Sequence, residues 1–392
     1  MSDVTQPDPG AARTSAAQPG TRALVLSGGG ARAAYEVGVL LAIADRVPDL
    51  EFPILTGVSA GAINAAYLAA HRGSFAEAVH ALRARWLELV ADRVYRIRPL
   101  RVGPALLRAL AARVLGRRTD PATVRGLVDV QPLAEFLAAI IDFSGVDQKI
   151  AAGRLKAVAL SATSYGVGET VTFVQGPPDT PTWQRAMRHS VGASLTLDHI
   201  MASAALPVLF PAVRLDGAFY GDGSVRQTAP LAPAIHLGAG GILAVTQQSD
   251  PRQQAAPAVP RDYPTLAEVA GLLLHAVFLD ALEADVERLE RVNRLLARLP
   301  AAPPPEGLRP ITLLVLRPSR NLGALARGSA VKLPPLLRWG VRMAGGEQAA
   351  GADFLSYLVF DPAYTNTLID LGYADAQAGW ERIERFLAAT AP

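Results

Sequence analysis

The chain has 392 residues, of which 50% are hydrophobic and 19% charged, and its formal net charge at pH 7 is +3. This length and composition predict a sizeable core, organised as one large domain with an elaborated second region. The near balance of charge gives no reason to expect a nucleic-acid partner. The absence of cysteine excludes disulfides, a thiol nucleophile and cysteine metal ligands, and it is typical of a cytoplasmic protein.

The first 20 residues are rich in Pro, Ala, Ser, Thr and Gln and have no hydrophobic periodicity. We therefore expect a disordered leader over residues 1–20. These residues lack the cationic and apolar segments of a signal peptide. No later stretch approaches the roughly 18 to 20 uninterrupted apolar residues of a membrane-spanning helix. The expectation is a cytoplasmic protein whose contact with membranes, where it occurs, is peripheral.

Two strand–helix units follow the leader. The apolar run Ala23–Ser27 predicts a buried strand, and a glycine-rich loop and a helical pattern come after it. Pro53–Leu55 predicts a second strand, followed by Gly57-Val58-Ser59-Ala60-Gly61 and an alanine-rich helix over 62–70. Strands and helices that alternate at this spacing predict a parallel sheet covered by helices.

The second strand–turn–helix has the pattern of a nucleophile elbow. In such a turn the serine, here Ser59, is held in a strained backbone conformation, and its neighbours Gly57 and Gly61 must carry no bulk. Ser59 would also lie at the positive end of the helix that it starts. A strand-to-helix turn with no catalytic role would carry the same residues, so the motif alone leaves both interpretations open.

The glycine loop Gly28-Gly29-Gly30-Ala31-Arg32 allows three interpretations. A phosphate cradle is disfavoured, because neither G-x-G-x-x-G nor the G-K-[ST] of a P-loop is present. A tight packing turn is a second interpretation. The third, which we favour, is an oxyanion hole, because successive glycines let backbone N–H groups converge one βα unit before Ser59.

Residues 75–145 predict a helical cap inserted into the sheet domain. Its first part, up to about Arg118, is an arginine-rich amphipathic segment. Such a segment is typical of an anionic membrane surface or of a solvated helical face, and the second is favoured because arginine is the usual cation of this chain. A further amphipathic helix is predicted from Leu127 to Ile141.

The second half of the chain alternates apolar runs with helical patterns. Asp222 lies between two glycines after a short strand, where an aspartate usually satisfies its own backbone. The predicted strands are Leu155–Thr163, Val171–Val174, Gly241–Thr246 and Ile311–Leu316, and the predicted helices are Ile200–Leu206, Leu266–Leu299 and pieces of Phe354–Leu387. No metal-binding motif is present, and we expect no cofactor.

Residues 22–245 resemble the patatin-like phospholipase family. The resemblance rests on Gly28–Arg32 for the glycine-rich loop, on Gly57–Gly61 for G-x-S-x-G, on Asp222-Gly223 for D-G-[GA], and on Ala202–Pro211 for A-S-x-A-x-P-x-x-F-P. These motifs occur in the family's order, which is far more specific than any one of them. The region from residue 262 resembles, more weakly, the C-terminal extension of some bacterial members.

The resemblance implies a three-layer α/β sandwich with a mainly parallel sheet, a helical cap and C-terminal helical additions. It divides the chain into a leader at 1–20, a catalytic domain at 21–250 and an extension at 262–392 packed on the core. It also implies a Ser59–Asp222 dyad without histidine. Of the 6 histidines, His199 is the one to compare with this expectation, since a lone histidine is more often an ordinary structural residue.

The implied activity is a lipid acyl hydrolase of phospholipase A, lipase or esterase type, acting on phospholipid or another acyl ester through an acyl-enzyme. A non-catalytic lipid-binding scaffold and a lipid transacylase are the alternatives. The intact Ser59, Asp222 and glycine loop argue against the scaffold. The sequence leaves the headgroup, the chain length and the oligomeric state open.

Overall fold

The computed structural model describes residues 21–97, 126–249, 269, 280–299, 308–326 and 356–391. The predicted leader lies outside these ranges, as do 98–125 of the arginine-rich segment and most of the start of the long helix predicted from Leu266. The strands are β1 Arg22–Leu26, β2 Ile54–Val58, β3 Arg96–Ile97, β4 Val128–Asp129, β5 Ala157–Ser164, β6 Thr170–Gln175, β7 Gln184–Arg185, β8 Arg188–Gly192, β9 Val213–Leu215, β10 Ala218–Asp222, β11 Gly241–Val245 and β12 Thr312–Leu316.

The described α-helices alternate with these strands, and short 3-10 turns cover Gly30–Ala33 and Gly223–Val225. The helices are α1 Ala34–Arg46, α2 Ala60–Ala70, α3 Phe75–Glu88, α4 Ala91–Val94, α5 Gln131–Ile140, α6 Ser144–Ala151, α7 Leu197–Ser203, α8 Ala232–His236, α9 Asp280–Leu296, α10 Leu322–Leu325, α11 Pro362–Ala378 and α12 Trp380–Ala389. Within these residues, no helix combines the length and apolar character needed to span a bilayer.

The central sheet has the strand order β12-β11-β1-β2-β5-β6-β8-β7. From β12 to β5 every neighbouring pair is parallel, whereas β6 runs antiparallel to β5. The parallel strands therefore end at one edge, which we call the carboxyl edge. The mainly parallel sheet expected from the sequence is confirmed.

Helices cover both faces of the sheet. Alternate residues of β1 show this, because successive side chains of a strand point to opposite faces. Leu24 and Leu26 pack in the core that includes α1, α2 and α11, whereas Ala23 and Val25 pack in the core that includes α8 and α9. The three-layer α/β sandwich is confirmed.

Two predicted helix boundaries are wrong. A helix was expected from Leu127, but Val128–Asp129 is a strand paired with β3, and α5 begins at Gln131 with Pro132 in its first turn. The helix expected over Ile200–Leu206 is instead Leu197–Ser203. It begins early because Thr196 and His199 form a reciprocal capping box at its N-terminus.

The C-terminal residues are built into the sheet domain. Strand β12 extends the sheet beside β11, and α11 lies against α1 at a small distance. A Cβ on Gly38 of α1 would be 1.9 Å from the Ile369 carbonyl oxygen, and one on Gly372 of α11 would be 2.2 Å from that of Tyr35. The helices approach this closely because both positions lack a side chain.

This contact predicts that Gly38→Ala separates the helices. We expect a loss of about 1–3 kcal/mol in the free energy of unfolding, as for overpacked cores, measured by urea denaturation. Gly192→Ala is the control, because a Cβ there meets nothing within 4 Å. Equal stability of the two variants would contradict the tight contact.

Candidate active site

Ser59 lies on the sharp turn between β2 and α2. Its backbone has φ 55° and ψ −127°, a conformation that is strained for any residue but glycine. A Cβ on Gly57 would be 2.4 Å from the Gly61 carbonyl oxygen, and one on Gly61 would be 2.4 Å from that of Leu26. Both glycines are therefore required for this turn to form.

Ser203 holds the strained turn in place. Its hydroxyl accepts the backbone N–H of Ser59 at 3.0 Å and donates to the carbonyl oxygen of Ser161 at 2.6 Å. Ser203 is fully buried, so these bonds do not compete with water. Ser203 thus connects the Ser59 turn to the neighbouring strand β5.

Asp222 is brought close to Ser59 because the strands that lead to these two residues both pair with β5. Strand β2 runs parallel to β5 and ends with Val58 opposite Ser161. Strand β10 runs antiparallel to β5 and ends with Asp222 opposite Ala162. Since β6 occupies the other side of β5 at these residues, β2 and β10 share one side and meet end to end.

The Asp222 carboxyl group is fully buried and its two oxygens differ. Oδ1 accepts the N–H of Ser224 at 2.9 Å, which is the local bond usual for such an aspartate. Oδ2 has no partner with hydrogen-bond geometry within the described part of the chain. Burial raises the pKa of Asp222 to about 6, although the nearby Ser59 hydroxyl and Ser224 favour the ionised form.

The glycine loop lies directly beside Ser59. A Cβ on Gly28 would be 2.9 Å from the Ser59 Cβ and 2.5 Å from the Ser224 Oγ. The N–H groups of Ala31 and Arg32 already donate to the carbonyl oxygens of Tyr357 and Gly29, at 2.9 and 3.1 Å. Those of Gly29 and Gly30 make no backbone hydrogen bond with any described residue.

Arg32 is a structural residue of this loop. Its guanidinium group is buried, donates to Ser356 Oγ at 2.6 Å, and lies 4.1 Å from the centre of the Tyr357 ring. Gly30 has φ +53°, and a Cβ there would be 2.2 Å from the Tyr357 carbonyl oxygen. The loop is therefore clamped against the C-terminal segment that contains Tyr357.

A buried network of hydrogen-bonded side chains lies next to the glycine loop. Glu36 accepts hydrogen bonds from the Asn64 and Gln247 side chains at 2.8 and 2.7 Å, and Trp86 donates to Asn64 at 2.8 Å. Gln247 also accepts from the Ser27 hydroxyl at 2.8 Å. Burial raises the pKa of Glu36 well above its ordinary value, against the opposing effect of these amides and the Ser27 N–H.

The His199 side chain makes its contacts with Thr196 and Phe173. Its Nδ1 accepts the N–H of Thr196 at 3.1 Å in the helix cap, and its ring packs edge-on against Phe173. Burial lowers the pKa of His199. Among the described residues, no group of three His, Cys, Asp or Glu side chains is placed to hold a metal ion.

A cavity of about 790 Å³, partly open to solvent, adjoins Ser59 and Asp222. Its walls are mainly apolar and come from α2, α3, α5, the loop after α7 and the C-terminal segment. Besides Ser59, Asp222 and Arg85, the described lining residues include Gly30, Ile63, Leu82, Trp86, Leu133, Phe136, Leu137, Leu206, Phe210, Leu358 and Phe360.

Sequence reasoning missed the residues that support the site. Ser203 belongs to the A-S-x-A-x-P motif, so its position was visible although its contact with Ser59 was not. The motif gave no sign of Tyr357, whose carbonyl group bonds Ala31 across more than 300 residues of chain. Asp222, expected to follow a short strand, is instead the last residue of that strand, β10, which runs antiparallel to β5.

A family model described as patatin-like phospholipase matches residues 24–235, more than half of the chain's 392 residues. No curated protein matches the sequence. Among solved structures, human GIVD cytosolic phospholipase A2 is 12% identical with a TM-score of 0.45, over 95% of this chain and 60% of that one. VipD from Legionella pneumophila is 12% identical with a TM-score of 0.35, over 95% and 68% of the two chains.

A chain of the ExoU–SpcU complex from Pseudomonas aeruginosa is 19% identical with a TM-score of 0.27, over 95% of this chain and 75% of that one. The family assignment rests on the model match and not on these distant structures. On that match, the chain belongs to the patatin-like phospholipase family.

Proposed function

We propose that this protein is a serine lipid acyl hydrolase that cleaves fatty-acyl esters through a Ser59–Asp222 dyad. The observation that carries the proposal is the end-to-end meeting of β2 and β10 on β5, which places a buried carboxyl group beside a strained serine. An aspartate with one free oxygen beside such a serine is suited to act as its base.

In the first step the Ser59 Oγ attacks the ester carbonyl carbon, and Asp222 Oδ2 takes the hydroxyl proton. The tetrahedral intermediate collapses, the C–O bond to the alcohol breaks, and the alcohol leaves with the proton held by Asp222. Water, deprotonated in turn by Asp222, then attacks the acyl-enzyme carbonyl carbon. As the bond from this carbon to the Ser59 Oγ breaks, Asp222 returns the proton to Oγ, and the fatty acid is released.

The negative oxygen of each intermediate requires fixed donors. The N–H groups of Gly29 and Gly30 are our candidates, because they are not used within the loop, unlike those of Ala31 and Arg32. The N-terminus of α2 adds positive potential at Ser59. The apolar cavity beside them supports an acyl chain as the group that is bound.

Removing either member of the dyad should abolish ester hydrolysis. We expect Ser59→Ala and Asp222→Asn each to lower kcat by several orders of magnitude, and the double variant to be little worse, because residues that act as one unit are non-additive. Fatty-acid release from phospholipids and p-nitrophenyl esters measures this. His199→Ala is the control, and a loss of activity there with Asp222→Asn still active would indicate a triad.

The activity should fall in acid because the base must be ionised. With the pKa of Asp222 at about 6, kcat/KM should drop about tenfold per pH unit below that value. A pH–rate profile with a soluble ester measures this fall in kcat/KM on the acid side. A profile that is flat to pH 4 would contradict the assignment of Asp222 as the base.

The same titration is measurable without substrate. Because folding raises the pKa of Asp222 from 3.8 to about 6, the protonated form stabilises the fold below the lower value, and this stability is lost as the pH rises through the higher one. Asp222→Asn should therefore gain stability relative to the wild type between about pH 4 and pH 7, by up to about 3 kcal/mol. Thermal melts across this range test it.

Bulk at Gly28 should displace the nucleophile. The added Cβ of Gly28→Ala would press on Ser59 and Ser224, and a misplacement of about 1 Å typically costs a hundredfold in rate. We expect a comparable fall in kcat. Gly166→Ala is the matched control, since its Cβ would meet only the Ser164 Oγ, at 3.9 Å. Normal turnover by a folded Gly28→Ala variant would mean that the loop tolerates bulk beside the serine.

A further inference from the structure

Exposed apolar side chains gather on turns at the carboxyl edge of the sheet. We call them the turn surface: Tyr165 and Val167 between β5 and β6, Met187 between β7 and β8, Phe219 near the β9–β10 turn, and Val208 after α7. Between 48% and 76% of each residue is exposed. Large apolar residues grouped in this way mark an interaction site more often than scattered ones do.

The turns are held together by main-chain hydrogen bonds. The N–H of Tyr165 donates to the Phe219 carbonyl oxygen at 2.9 Å, and the N–H of Thr170 donates to that of Met187 at 3.0 Å. They share this edge because β6 and β8 begin where β5 ends, and β10 extends beyond the end of β5. The turn surface is thus a fixed part of the sheet domain.

The turn surface adjoins the candidate active site. Tyr165 packs beside the end of β10: a Cβ on Gly221, the residue before Asp222, would be 2.3 Å from the Tyr165 hydroxyl oxygen, on the face of β10 opposite to the Asp222 side chain. Val208 lies between Leu206 and Phe210, which both line the cavity. A partner that covers the turn surface therefore lies beside the strand end that carries Asp222 and, at Val208, beside the cavity.

Backbone strain accompanies the exposed side chains. Met187 has φ 61° and Val208 has φ 71°, values at which a β-branched residue is an outlier. Glycine would adopt this backbone without strain. No contact within the fold therefore explains a valine at position 208. Its exposed side chain is suited to contact a partner.

The charges at these turns favour an anionic partner, because four arginines lie there against two carboxylates, with Arg185 and Arg188 paired across the β7–β8 turn beside Met187. Arg214 lies directly opposite Phe219 in the β9–β10 hairpin, so the two side chains share a face. The exposed Arg226 donates from Nε to the Gly168 carbonyl oxygen at 2.9 Å, in the β5–β6 turn. Of the carboxylates at these turns, Glu169 contacts His189 at 3.1 Å, and Asp216 occupies the β9–β10 turn.

We propose that the turn surface docks on a phospholipid bilayer. Its apolar side chains enter the boundary between headgroups and acyl chains, and Arg214 and Arg226 contact headgroup phosphates. The inference deepens the proposed function, on which it rests for the nature of the substrate. Docking in this orientation brings the part of the cavity lined by Leu206 and Phe210 close to the lipid from which an acyl ester is drawn.

Vesicle sedimentation of the full chain tests the proposal. The double variant Val167→Ser with Phe219→Ser should bind vesicles of phosphatidylcholine and phosphatidylglycerol at least about tenfold more weakly, because its apolar area is lost. Arg214→Gln should lose about fivefold on these vesicles and little on pure phosphatidylcholine. Leu299→Ser with Leu308→Ser is the matched control, because these exposed leucines lie near the start of β12, at the opposite edge of the sheet.

Hydrolysis of a soluble short-chain ester separates this proposal from the proposed function. All docking variants should cleave that ester like the wild type, which also shows that they are folded. Wild-type binding by the Val167 and Phe219 variant, or equal losses in the control pair, would overturn the proposal. The proposal would also be overturned if the wild type were a dimer that the docking substitutions dissociate without altering vesicle binding. A wild type that binds vesicles but cleaves no ester would overturn only the proposed function.

Discussion

The site depends on how strand β5 is shared. One side of β5 pairs first with β2 and then with β10, and the junction falls between Ser161 and Ala162. Because the two strands arrive from opposite directions, their last residues are brought together by backbone pairing alone. The Ser59 turn and the Asp222 carboxyl group are thus placed by the backbone pairing of the central sheet, which keeps a strained serine and a buried acid in register.

Around this junction, small residues set the spacing and buried polar groups hold it. Gly28, Gly57 and Gly61 each face backbone or the serine at distances that exclude a Cβ. Hydrogen bonds then hold the ends of β2 and β10. The Ser203 hydroxyl accepts the Ser59 N–H, and the Thr163 hydroxyl donates to the Asp222 carbonyl oxygen at 2.8 Å. The buried acid is unfavourable for stability when ionised, because burial raises its pKa to about 6.

Much of this architecture could be predicted from the sequence, because its signals are local. The sharp strand–turn–helix at Ser59 follows from glycine spacing, and the parallel sheet follows from apolar runs that alternate with helices. The direction of β10 could not be predicted, since a short strand ending in Asp222 carries no local sign of its partner. The contact of Tyr357 with the glycine loop and the Glu36 network could not be predicted either. Each joins elements far apart in sequence, the first through one carbonyl group and the second through side-chain amides. The helix expected at Leu127 failed because Val128–Asp129 pairs with β3, a non-local contact that outweighs helical periodicity.

The clamp between Ala31 and Tyr357 bears on how such chains can diverge. The part that matches the family model ends at residue 235, yet Tyr357, Leu358 and Phe360 form one wall of the cavity and hold the glycine loop. The tail is therefore not an exchangeable module. A chimera that joins this sheet domain to a relative's tail would inherit a different wall and a differently held loop, so changes in either part must evolve together.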